Sequence, residues 1–162
     1  MDFKEFAIQR NAKASETLLR NVRAVPADKL SWRPAEKTRS ALEVCQEAAQ
    51  SPMWGVMILN HKGWPGGTPE QMQEQMAAAM AERQSWDTVD KCEAAMNANL
   101  EKLEAAIRAL PDEELETVIR LPFGPGMDLP LAEICLVQYW NTTYHTGQVC
   151  YVQLMLGDAE MH

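Results

Sequence analysis

The sequence predicts an all-α protein, a four-helix bundle with one short extra helix between its second and third long helices. Three observations lead there. Four long stretches repeat apolar residues every three to four positions, the period of an amphipathic helix. Ala, Leu, Met and Glu are common beside only three Phe, three Tyr and five Trp, a balance that favours helix over sheet. Proline or glycine stands where each stretch stops. At 162 residues the chain suits one domain, 1–162, with a core that needs no disulfide or metal staple.

The first helix is predicted from Asp2 to Arg23, with Phe3, Ala7, Ala14, Leu18 and Val22 on one face, and Val25-Pro26 ends it. Ser40 opens the second through a capping box with Glu43. Its apolar pattern runs to about Asn60 across Pro52, which leaves a carbonyl unpaired one turn back. After the loop HKGWPGGTP, residues 70–83 form a short helix carrying Met72, Met76 and Met80 on one stripe. It reads either as a surface helix resting on the core or as a methionine-lined flap over a pocket. The third long helix, capped by Asp87, steps through Val89, Cys92, Met96, Leu100, Leu103 and Ile107 to a stop at Pro111. Residues 117–130 (TVIRLPFGPGMDLP) read as two very short strands around a Gly-Pro-Gly turn, or as an ordered loop. The fourth long helix is predicted to run unbroken from Pro130 to about Leu156.

Charge and cysteine usage narrow the function classes. A net charge of -8 opposes a phosphate backbone and an anionic membrane, and no Lys/Arg stripe offsets it, so neither nucleic acid nor membrane is an expected partner. Cys45, Cys92, Cys135 and Cys150 lie far apart without zinc-site spacing and read as buried free thiols. The N-terminal MDFKEFAIQR lacks an apolar signal region, and a reducing cytoplasm is the expected location.

The fourth long helix carries an unusual set of polar residues on its inward stripe. Asn141 and His145 share that face with Ile134, Val152 and Leu156, together with Gln138 and either Gln148 or Val149. Several buried polar groups are costly unless they bond one another, water or a ligand. On the second helix Glu47 falls on the side of Val44, Ala48 and Trp54, an apolar neighbourhood for a carboxylate. If the two helices face each other, Glu47, Asn141 and His145 converge at mid-bundle, where a carboxylate and an imidazole are a partial ligand set for a transition metal. Read alone, such a histidine is more often a hydrogen-bonded core residue than a ligand, and Glu47 is a solvated helix residue if helix two is rotated by a third of a turn.

Two segments, LSWRPAEKTRSALEVCQEAAQ and QYWNTTYHTGQVCYVQLMLG, resemble the diagnostic stretches of the DinB superfamily. The first resembles that family's entry into helix two, with Arg33-Pro34 and Ser40. The second resembles its HxxxHrGQ signature with a leucine-glycine ending, and the likeness extends over about residues 2–157. It implies a bundle of DinB type. In that family three histidines commonly hold a divalent metal. Carried onto this sequence their positions are Glu47, Asn141 and His145; only His145 keeps the histidine, and Thr146 stands for the usual arginine before Gly147 and Gln148.

The resemblance implies a divalent metal (zinc, nickel, iron or manganese) held by His145 and Glu47 with Asn141 as a weak third donor. It also implies a metal-dependent enzyme of the thiol S-transferase or isomerase type. The other expectation is a metal-free small-ligand-binding or structural bundle that has lost the catalytic ligands. Gln138, Gln148, Tyr144 and Trp54 are the expected pocket-lining residues, and a small molecule or low-molecular-weight thiol the expected ligand. A homodimer is expected in either case, because long bundle helices often present a second apolar stripe.

Overall fold

A computed structural model describes residues 2–122 and 124–162; Met1, and Phe123 within the predicted turn stretch, lie outside the described residues. Among the described residues six α-helices and one hairpin follow in order: α1 (Phe3–Ala24), α2 (Ala41–His61), α3 (Pro69–Ser85), α4 (Val89–Ala109), β1 (Val118–Leu121), β2 (Met127–Pro130), α5 (Leu131–Cys135) and α6 (Val137–Met155). The long helices α1, α2, α4 and α6 form the bundle, and α2 packs against both α4 and α6 while α1 packs on the same two. That arrangement brings the predicted second and fourth helices side by side. No helix among the described residues is long and apolar enough to cross a membrane.

Local chemistry explains most boundaries. Ser40 and Glu43 make the predicted reciprocal capping box at α2. At α4 the cap is Thr88, whose hydroxyl accepts from the Lys91 N–H, rather than Asp87, whose carboxylate pairs with the Lys91 ammonium at 2.7 Å. Residues 117–130 do form two short strands, registered Ile119 opposite Leu129 and Arg120 opposite Asp128. Arg120 closes the hairpin by pairing with Asp128 at 2.9 Å and donating to the Pro125 carbonyl. Gly126 has φ +93°, and a Cβ there would strike that guanidinium, so glycine is required. Among residues 70–85 the Met-bearing α3 buries none, and Met76 and Met80 are exposed.

The fourth long helix is not continuous. It breaks at Leu136 (φ −101°, ψ 8°) into α5 and α6, which corrects the predicted unbroken span. The physical reason lies on α1. Asn11, almost completely buried, donates from Nδ2 to the Cys135 carbonyl at 2.8 Å and accepts from the Tyr139 N–H at 2.9 Å. One side-chain amide thus satisfies a backbone acceptor and a backbone donor that the break sets free.

A second device of the same kind serves Pro52. Proline has no N–H for the carbonyl of Ala48 one turn back. Gln138 on α6 supplies the donor at 3.0 Å, with Ser15 Oγ 3.1 Å from the same nitrogen. Asn99 on α4 donates to the next carbonyl, Ala49, at 2.9 Å. Gly55 lies just beyond, where a Cβ would fall 2.7 Å from Val137 and 2.8 Å from Leu103, so α2 approaches α4 and α6 closely. Cys45, Cys92 and Cys135 are buried, Cys150 is half-buried, and all four are free thiols.

Candidate functional site

The buried residues of α6 are Gln138, Thr142, His145, Val149, Val152 and Gln153; Gln138, His145, Val149 and Val152 lie on the predicted stripe, and Thr142 takes the buried place predicted for Asn141. Gln138 is spent on the Pro52 gap, and Thr142 donates to its own helix at the Gln138 carbonyl, 2.6 Å away. His145 is the member of this stripe that reaches another ionisable group. It is 1% exposed, its Nδ1 lies 2.8 Å from Gln148 and its Nε2 lies 3.2 Å from Oε1 of Glu47 on α2.

Glu47 stands one turn past the capping box, with its carboxylate half-buried. Its second oxygen is in contact with the guanidinium of Arg39, the residue just before the cap. An arginine–carboxylate–imidazole chain therefore crosses from the α2 entry loop into the bundle. Arg39 was not among the residues singled out from sequence. The available signal was a basic residue immediately before an N-cap and eight positions ahead of a carboxylate on the inward side.

Burial pushes the His145 imidazole below its ordinary pKa of 6.5; the bond to Gln148 opposes this, and the positive charge of Arg39 adds to it. The neutral ring has one N–H. Gln148 Oε1 lies against Nδ1, so Nδ1–H donates to it, and the Nε2 that faces Glu47 Oε1 carries a proton only when the ring is charged. Because the unfolded chain takes up this proton at a higher pH than the folded one, the contribution is intact above 6.5 and falls as pH drops toward the folded value. Urea melts from about pH 5 to about pH 8 are the check. The stability difference between wild type and His145→Gln is expected to shrink below 6.5. A difference that does not change with pH would show that the ring is not held neutral.

Two cavities flank this chain. The larger, about 610 Å³, is lined by Lys37, Arg39, Tyr144, Gln148 and Tyr151 among others. The smaller, about 280 Å³, lies under α3 and is lined by Glu47, Ser51, Trp54, Met76, Arg83 and Asn141. Of the predicted pocket residues, Gln148 and Tyr144 therefore border one cavity and Trp54 the other, where it stacks on Trp64 at 5.5 Å. Gln138 lines neither. Tyr144 is mostly turned outward, since it is one residue, about 100°, around the helix from His145. Asn141 is half-buried at the edge of the stripe, and its Oδ1 is buried with no donor.

Glu47 Oε1 and His145 Nε2 are 3.2 Å apart, close to the separation of two ligands each ~2 Å from one ion. The third position offers only the neutral Asn141 oxygen, and among the described residues no group of three His, Cys, Asp or Glu is placed to hold a metal. Arg39 already provides Glu47 with a positive partner. A dication beside it would face a like charge. As arranged, these residues do not fit a tightly held metal.

Solved structures with the same bundle were found by comparison. YfiT from Bacillus subtilis, a probable metal-dependent hydrolase with an unusual four-helix bundle topology, matches at a TM-score of 0.71 and 13% identity, over 96% of this chain and 89% of its own. A DinB-like protein from Bacillus subtilis, YjoA, matches at 0.63 and 15% identity, over 96% and 95%. The mycothiol-dependent maleylpyruvate isomerase matches at 0.64 and 11% identity, over 92% of this chain and 63% of that one. No family model matches the sequence, and no curated protein matches it either. At these identities the likeness is one of fold: the chain has the four-helix-bundle architecture of DinB-like proteins.

Proposed function

We propose that this chain is a small-molecule-binding bundle of DinB type that works without a resident metal. The observation that carries this reading is Arg39 on Glu47: the carboxylate at mid-bundle already has a fixed positive partner, and its other oxygen lies 3.2 Å from Nε2 of His145. The ligand site is the cavity under α3. Asn141 Oδ1, a buried acceptor without a donor, is satisfied there by a hydroxyl, amine or thiol of the ligand. Trp54 and Met76 line the same cavity and contact the ligand's apolar part.

Metal analysis of protein purified without a nickel column or chelator tests the reading. Zinc, nickel, iron and manganese are expected far below one ion per chain, and a chelator is expected to leave the melting temperature unchanged. A second reading, a divalent-metal-dependent enzyme of the thiol S-transferase or isomerase type, is favoured by the same unpartnered Asn141 oxygen, which also suits a cation, and by the neighbour YfiT, a probable metal-dependent hydrolase. It requires Arg39 to leave Glu47. An equimolar ion that disappears in His145→Ala would establish it and overturn the first.

A further inference from the structure

One face of α6 has no partner in the bundle. Trp140, Tyr144 and Tyr151 are 57%, 66% and 64% exposed, and Leu154 and Met155 are exposed beside them. With Gly147 these residues fall at helical offsets −7, −3, 0, +4, +7 and +8, so they occupy one strip about 100° wide. A Cβ at Gly147 would meet nothing within 4 Å, so no packing among the described residues accounts for the gap at the middle of the strip.

Three features say what covers it. The pattern is nearly symmetric about Gly147, large apolar residues one and two turns away on both sides, which is what a two-fold axis through that glycine needs. Antiparallel α6 helices then place Trp140 of one copy near Leu154 of the other and both tyrosines across the axis, with the glycines allowing close approach. Secondly, α6 contains no Asp, Glu, Lys or Arg over its 19 residues, in a chain with net charge -8. Joining copies along this helix desolvates no charge of its own, whereas other faces would bring acidic surfaces together. Thirdly, the five side chains expose on the order of 600 Å² per copy, about 1,200 Å² for a pair, which reaches the size of a specific interface.

From these we infer that the α6 face is the interface of a homodimer, two copies crossing antiparallel at Gly147. Tyr144, Gly147 and Tyr151 also border the 610 Å³ cavity, so the second copy roofs it and turns an open groove beside Arg39 and Gln148 into an enclosed chamber.

Sedimentation velocity from micromolar to hundred-micromolar concentration is the test. Wild type is expected to sediment as a dimer, and Tyr151→Glu and Leu154→Glu, both at exposed positions, as monomers with unchanged helical circular dichroism. Loss of one central aromatic is expected to weaken the dimer by about 30-fold or more. Trp140 fluorescence, blue-shifted in the dimer, is expected to move to the red in both variants. Wild type that stays monomeric throughout, or a dimer that both glutamate variants leave intact, would overturn the assignment.

Discussion

Asn11→Leu is expected to destabilise the protein by about 2–4 kcal/mol, because it strips partners from two buried backbone groups at once. The Cys135 carbonyl and the Tyr139 N–H lie on either side of the Leu136 break, and both are bonded by this one amide. Leucine matches asparagine roughly in size, so the loss is one of hydrogen bonding rather than of packing. For a chain of this length the change corresponds to a fall in melting temperature of about 10 °C. Exchange of the Tyr139 amide is expected to accelerate more than exchange at the centre of α4. The exposed Asn97→Leu on α4 serves as the control and is expected to stay within about 0.5 kcal/mol of wild type. If the two variants melt alike, the break is held by something other than Asn11.

That break shows where reading the sequence stops. The long helices were legible because each carries its own evidence, namely a 3.6-residue apolar period with Ser40, Pro111 or Gly157 at an end. Positions 47, 141 and 145 were legible for the same reason, since register along two helices is enough to place side chains on facing sides. The Leu136 break was not, because nothing local demands it; the residue that makes it tolerable is 125 positions away on α1. Arg39 was hidden differently. Its side chain reaches Glu47 only because of how the entry loop to α2 lies across the bundle, and a loop has no period to read. Even within α6 the polar stripe misleads if taken whole. Gln138 repairs Pro52 and Thr142 bonds its own helix, which leaves His145 and the edge residue Asn141 facing ionisable or unpartnered chemistry.

Arg39→Ala is expected to raise the chain's affinity for a divalent metal. Removing the guanidinium frees Glu47 Oε2 and leaves the carboxylate and His145 Nε2 at a separation two ligands of one ion adopt. It also removes a positive charge whose repulsion of a dication at about 5 Å is worth ~1.5 kcal/mol even in a water-like dielectric, appropriate to this half-exposed pair. That corresponds to about a tenfold gain in zinc affinity from charge alone, with the newly available oxygen adding to it. The same substitution relieves the charge that helps hold the His145 pKa down, so the pH at which the ring protonates rises. Zinc titration by calorimetry reads the first effect and the imidazole proton resonance reads the second. Arg39→Lys separates charge from reach: an ammonium keeps the repulsion without the planar fork, so zinc binding is expected to stay weak. Should Arg39→Ala bind zinc no better than wild type while His145 still titrates higher, Arg39 tunes the imidazole and the carboxylate geometry itself excludes the ion. Equal zinc binding in all three proteins, abolished by His145→Ala, would show instead that the guanidinium never occupied the cation's place.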